Sequence, residues 1–227
     1  LLFTVNGVMK GFHRELQYLF RGSSSDLTVE WSFFQPNEKD LKEQFPGVTF
    51  APVLDSFGML RGEKDGFRFV TAIQIKGVAP VQEMELRKTM GDDDVEHLSL
   101  LNVELKDESS MGGLLEMFGE TTESYPLVIG SVLAERLKLQ LGDPLDVTVP
   151  NWSEGLVERG FHLAAIHHSG YFEDDSNRLL VPISTLESMV GQVSRQHQVA
   201  LGPGVSPETI TSQIIEKHAG AEVSSWR

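Results

Sequence analysis

The most regular patterning lies between Tyr125 and Pro182. Tyr125 to Ile129 forms a short apolar strand, and Gly130-Ser131 opens a helix through Leu137. In that helix Leu133 and Leu137 share one face, while Glu135, Arg136 and Lys138 stay on the wet side. Leu139 to Gly142 closes it, and Gly142-Asp143-Pro144 turns the chain. Leu145, Val147 and Val149 then alternate with Asp146 and Thr148, which is the period of a half-buried strand ended by Pro150. A polar loop from Asn151 to Gly160 leads into the apolar run Phe161 to Ile166. After it come His167-His168-Ser169-Gly170, an acidic turn and Leu179-Leu180-Val181-Pro182.

Nearer the start, Val5, Val8, Met9, Phe12, Leu16, Leu19 and Phe20 recur at spacings of three and four, so Leu2 to Phe20 is expected as an amphipathic helix. Leu27, Val29 and Trp31 alternate with polar residues as a first strand. Pro36-Asn37 opens a short helix in which Leu41 and Phe45 share a face, and Pro46-Gly47 ends it. Val48 to Met59 is a second strand region, Gly62 to Gly66 a hairpin turn, and Phe67 to Ile75 the returning strand. Such a unit makes a small α+β sheet.

From Ala79 to Ser124 the periodicity weakens. Val81, Met84, Glu85 and Lys88 allow a short helix, and Ser109 to Ser124 carries Gly112, Gly113 and Gly119 around an apolar tip, a mobile loop by composition. Beyond Pro182, Ser184 caps a helix bearing Leu186, Met189 and Val190, and Val193 to Leu201 is a strand. Ser206 caps a further helix with Pro207 at its first position and Ile210, Ile214 and Ile215 on one face. Gly220 ends it, and Ala221 to Ser225 is the last strand. This strand, helix, strand ending repeats the plan of residues 26 to 76.

The 227 residues, 40% apolar, can build one large or two small cores. No run of about 18 apolar residues is present, and no signal-peptide pattern opens the chain. The absence of cysteine excludes disulfides and thiol chemistry. A net charge of −14 argues against nucleic acid and against anionic lipid head groups, both of which it repels.

Candidate chemistry is thin. Asp92-Asp93-Asp94 and Glu173-Asp174-Asp175 lack the alternating oxygens and central Gly of a calcium loop and read as solvated turns. His167 and His168 are adjacent in an expected strand, so their side chains diverge and do not share a metal. His162 and His168, six apart and near Glu173 and Asp174, are the better-placed pair, against the simpler reading of satisfied or exposed rings. There is no G-x-S-x-G elbow, no phosphate-binding G-x-x-x-x-G-K-[ST] and no G-x-G-x-x-G after a strand. Ser131 sits where a hydroxyl caps a first helical turn. No catalytic, cofactor-binding or metal-binding residue is therefore assigned. The residues expected to meet a partner are Trp152, Leu156 and Val157, apolar positions in the Asn151 to Gly160 loop.

The run P-L-V-I-G-S-x-L-A-x-x-L-x-L-x-x-G-D from Pro126, then F-H-L-A-A-I-x-x-S-G-Y, D-D-S and L-L-V-P-I, resembles the extracytoplasmic domain of MacB/FtsX-type ABC transporter permeases. Within that group it is most similar to the lipoprotein-releasing permeases LolC and LolE. The opening Val5 to Leu16 and the ending Val223 to Arg227 are similar to the segments beside those permeases' two membrane spans. The resemblance implies an α+β fold of two small subdomains: a porter-like βαβ subdomain from residues 1–77 and 193–227 with an N-terminal stalk helix, and an inserted, mostly-β sabre-like subdomain over 78–192. It implies a non-enzymatic periplasmic domain of a bacterial inner-membrane permease that couples cytoplasmic ATP hydrolysis to lipoprotein release. The implied partners are a cytoplasmic ABC ATPase, a second permease subunit, a periplasmic carrier or adaptor protein, and a lipoprotein or other cargo. The alternatives are an FtsX-like regulator that activates a cell-wall hydrolase and a MacB-like efflux domain that docks an adaptor. In LolC-type permeases a longer hairpin at the place of Asn151 to Gly160 hooks the lipoprotein carrier.

Overall fold

The computed structural model describes residues 25–32, 36–89, 124–168, 172–191 and 196–225. The expected helix from Leu2 to Phe20 and the Gly-rich loop of 109–124, Ser124 apart, lie outside the described residues. The described strands are β1 (Leu27–Trp31), β2 (Val48–Lys64), β3 (Phe67–Val78), β4 (Tyr125–Gly130), β5 (Pro144–Asn151), β6 (Gly155–His167), β7 (Arg178–Pro182), β8 (Gln196–Leu201) and β9 (Ala221–Ser225). The described helices are α1 (Glu38–Gln44), α2 (Pro80–Thr89), α3 (Ser131–Leu137), α4 (Phe172–Asn177), α5 (Ile183–Val190) and α6 (Pro207–Lys217).

All nine strands belong to one sheet, in the order β3-β7-β4-β6-β5-β2-β8-β1-β9. Because β2 also pairs with β3, the first six close on themselves, and the fold is a sheet-rich α+β arrangement around a six-stranded barrel. Closure removes the open edges that a six-stranded sheet would otherwise expose. The remaining strands extend the sheet from the first half of β2 in the order β8, β1, β9, each antiparallel to its neighbour. In this four-stranded part β1-α1-β2 and β8-α6-β9 are two split βαβ units, each interrupted by a strand of the other.

Two apolar clusters fill the structure. One joins Leu27, Val29 and Trp31 to Leu41 and Phe45 of α1, Phe50 of β2, Val199 of β8, and Ile210 and Ile214 of α6. Ile215, expected on the same face as these two, is half exposed instead. The other fills the barrel with Leu60, Ile73, Ile75, Leu127, Ile129, Val147, Val149, Phe161 and Leu163, closed by Leu133 of α3 and Leu186 and Met189 of α5. Leu60, Ile73 and Ile75 come from the segment 1–77, so the β2–β3 hairpin contributes to the barrel while Val48 and Phe50 at the start of β2 belong to the other cluster. Behind the four-stranded part, Leu86 of α2 packs on Ala51 and Ala200.

Local chemistry explains the elements. Asn37 caps α1 by accepting the Asp40 N–H at 2.8 Å, and Ser206 caps α6 by accepting the Thr209 N–H. The β2–β3 ladder runs to Lys64 opposite Phe67, leaving Asp65 and Gly66 as a two-residue turn with φ of 53° and 79°. That is the primed hairpin geometry an Asp-Gly pair favours. Helix α5 begins two residues earlier than its sequence signal: Pro182 is the N-cap residue and Ser184 lies inside the helix.

Candidate functional site

The hairpin of β5 and β6 carries the expected partner-contact residues. The ladder holds from Pro144 opposite His162 to Asn151 opposite Gly155, so the connection is three residues rather than the ten-residue loop the polar composition implied. Asn151 is the reason. Its buried side chain donates to the Met189 carbonyl at 2.8 Å, and its Oδ1 accepts from the amides of Ser153 at 2.8 Å and Glu154 at 3.0 Å. One side chain thus satisfies the turn and fastens it to the end of α5. Gly155 follows at φ +86°, a conformation that side-chain-bearing residues rarely adopt.

Held this way, Trp152 and Leu156 stand 84% and 71% exposed. Val157 faces the other way, half-buried against the barrel core opposite Val149. The fold therefore brings Trp152 and Leu156 to one outward tip and separates Val157 from them by the pleat.

The second candidate lies where β6 ends. His167 is buried on the outer layer of the barrel with Nδ1 3.6 Å from Asp175 Oδ1, and His168, largely exposed, has Nδ1 3.0 Å from Asp175 Oδ2. Strand alternation separates the two rings, but His168 lies just past the strand, so both reach one carboxylate. Asp174 and Asp175 are buried, not solvated: they lie within α4, and Arg178 Nη1 donates to Asp174 Oδ2 at 2.6 Å. Burial pushes the Asp174 carboxyl up, opposed by Arg178. Burial likewise lowers the His167 ring to about 4, with Asp175 pulling the other way. Ser131 is the first residue of α3, whose N-cap is Gly130, and its Oγ lies 2.9 Å from His168 Nδ1. Serine and carboxylate meet the same imidazole nitrogen, so the three do not form a proton relay, which needs one partner on each nitrogen. His162 contacts Ser124 Oγ at 2.8 Å instead, because a bulge after Leu127 shifts the register between it and His168. No group of three or more His, Cys, Asp or Glu positioned for a metal occurs among the described residues.

No family model matches the sequence, and no curated protein matches it. Among solved structures, the extracellular domain of the noncanonic ABC-type transporter YknZ from Gram-positive bacteria aligns with 88% of this chain and 99% of its own. The sequence identity is 14% and the TM-score 0.49.

The barrel mouth beside the β2–β3 turn forms an open cavity of about 650 Å³ lined by Arg61, Glu63, Arg68, Asp146 and Phe161. Next to these residues in the chain, Lys64 holds both Asp143 oxygens at 3.0 and 2.7 Å. Burial opposes ionisation of Asp143, yet Lys64 and the Gln140 amide hold its carboxyl below the ordinary value. Charges of both signs stand beside Leu145 and Phe161 in this lining, and Arg61 ties β2 to Asp146 of β5 and Glu158 of β6.

Proposed function

We propose that this chain is the extracytoplasmic domain of an ABC transporter permease of the MacB/FtsX type, working without catalysis of its own. In this reading it is a periplasmic part of a bacterial inner-membrane permease. It acts with a cytoplasmic ATPase and a second permease subunit and hands a lipoprotein or other cargo to a periplasmic carrier or adaptor. The ordered motifs between Pro126 and Ile183 support it, and one structural relation carries it. Strands β1 and β9 are antiparallel neighbours with Leu27 opposite Ser225, so the chain enters and leaves the fold side by side. Two adjacent membrane spans need that arrangement of a domain hung between them.

The entry point is fastened: Asp26 accepts the Leu201 N–H at 2.9 Å, and Ser25 Oγ donates to the Leu27 carbonyl at 2.7 Å. From the four-stranded part, β2 runs 17 residues without a break into the barrel, about 55 Å at strand rise. A displacement of the paired ends then moves the barrel and its Trp152 tip as one body. None of the described helices is long and apolar enough to cross a membrane.

The test is the reading frame on either side. It should encode an apolar run of about 20 residues directly before Leu1 and another soon after Arg227. A frame lacking either run overturns the proposal.

A further inference from the structure

The outward face of the barrel where β3, β2, β5 and β6 run side by side is apolar at its centre. Leu60 is buried in the barrel, so Met59 and, one pleat away, Phe57 point outward. Met59 pairs with Ala72 on one side and Thr148 on the other, and Pro150, one pleat beyond Thr148, pairs with Leu156. Phe57 is 69% exposed, Met59 47%, Val70 60% and Leu156 71%. Trp152 stands at the edge. Large apolar side chains gathered on one face of adjacent strands exceed the scatter expected of a solvated surface.

The rim of this face is acidic. Asp55, Glu63, Asp146 and Glu158 alternate onto the same outward side, and Glu154 stands at the turn. Arg61 answers Asp146 and Glu158 at 3.2 and 2.7 Å, and Arg68 answers Glu63 at 3.2 Å. Lys76, opposite Asp55, is buried and donates to Gln198. Carboxylates therefore outnumber exposed guanidiniums five to two around the patch. In a chain of net charge −14 a second copy would set like charge against like. At Met59, β2 is paired on both sides, with β3 and with β5, so the centre of the face offers side chains and not a free edge for strand addition.

The geometry points to this face as the docking surface for a partner protein that presents an apolar ridge flanked by Lys and Arg. Phe57 and Met59 supply the apolar centre, Asp55 and Glu154 supply charge selection, and the surface stands whether or not the chain serves a transporter. Basic flanks are steered to it at long range, and apolar burial holds the complex.

Calorimetric titration of the whole chain with three synthetic peptides tests this. An amphipathic Leu/Lys peptide should bind, whereas a Leu/Glu peptide of the same pattern and a scrambled Leu/Lys peptide should not. Phe57→Ser with Met59→Ser, and separately Asp55→Lys with Glu154→Lys, should each weaken binding about tenfold. The charge pair keeps the test open if the apolar pair shifts the urea midpoint. Equal binding of the scrambled peptide, or unchanged affinity in the charge variant, overturns the proposal. A dimer abolished by Phe57→Ser with Met59→Ser would assign the face to a second copy. Binding seen only after removal of residues 1–24 would assign it to the chain's own N-terminal segment.

Discussion

Trp31 donates its indole N–H to His197 Nδ1 at 2.9 Å, inside the cluster that α1 and α6 seal. The ring of His218 stands edge-on to the same indole at 5.3 Å. The hydrogen bond requires the His197 nitrogen to be unprotonated, and burial lowers this ring to about 4, with the Glu38 charge opposing. His167, buried on the other side of the molecule, is held down to about 4 as well. In the unfolded chain both rings titrate near 6.5. Between those values the unfolded chain binds more protons than the folded one, so stability is complete above pH 6.5 and lost as pH falls toward 4. Each histidine accounts for on the order of 3 kcal/mol. Urea midpoints measured from pH 7 to 4 should fall accordingly, and His197→Gln should flatten part of the slope. A midpoint that stays level across this window would remove both rings from the account.

Gly130 tolerates no side chain. A Cβ there would lie 2.3 Å from the Asp175 carbonyl oxygen, a backbone atom that cannot swing aside. Gly130→Ala should therefore detach α4 from β4 and cost several times the ~1 kcal/mol of an ordinary surface change. Hydrogen exchange localises the damage: faster exchange in 172–177 with β1 and β8 unaffected is the expected result.

Glu30 and Glu222 face each other directly across β1 and β9, both exposed. Like charges at opposed positions destabilise a pair of strands. Glu222→Lys should raise stability by about 0.5 kcal/mol at low salt, an effect that fades at high ionic strength. Equal urea midpoints for the two proteins at low salt would contradict it.

Alternating residues made β1 and β5 legible in the sequence, and capping residues did the same for α1 and α6. The closed barrel was not legible, because it depends on β2 pairing with β8 in its first half and with both β3 and β5 in its second. A sequence period says which face a residue shares, not how many neighbours its strand finds. For the same reason Phe57 and Met59 were missed as surface: Gly58 and Leu60 alternate with them, and only the barrel decides which pair turns inward. Asp174 and Asp175 read as solvent-facing by composition, yet Arg178 and the two histidines admit them to the interior. The shortness of the β5–β6 turn was hidden because one buried asparagine does the work of several loop residues.

That asparagine gives a direct handle on the hairpin tip. Asn151→Ala leaves the Met189 carbonyl and two turn amides without their partner, at a cost of about 1–3 kcal/mol. Asn151→Asp restores the acceptors but cannot donate to the carbonyl, so it should recover only part of the loss. Ser153 and Glu154 amide exchange should rise in both, most in the alanine variant. Full recovery by aspartate would show that the bond to α5 is unimportant.

The tip's role in partner choice separates from its role in folding because Trp152 and Leu156 are outside the core. Trp152→Ala with Leu156→Ser should leave the unfolding midpoint within about 0.5 kcal/mol of the parent. Val157→Ser, which removes a side chain packed on the barrel core, should cost about 1–3 kcal/mol. Used as bait against a purified lipoprotein carrier, a channel adaptor and a peptidoglycan hydrolase, the parent domain should retain one of the three. The tip variant should release that prey about tenfold more readily while Val157→Ser, once folded, retains it. If the tip variant captures the same prey undiminished, the hairpin is a structural lid and contact lies elsewhere on the surface. Retention of the hydrolase alone would move the chain from cargo transport to regulation of the cell wall.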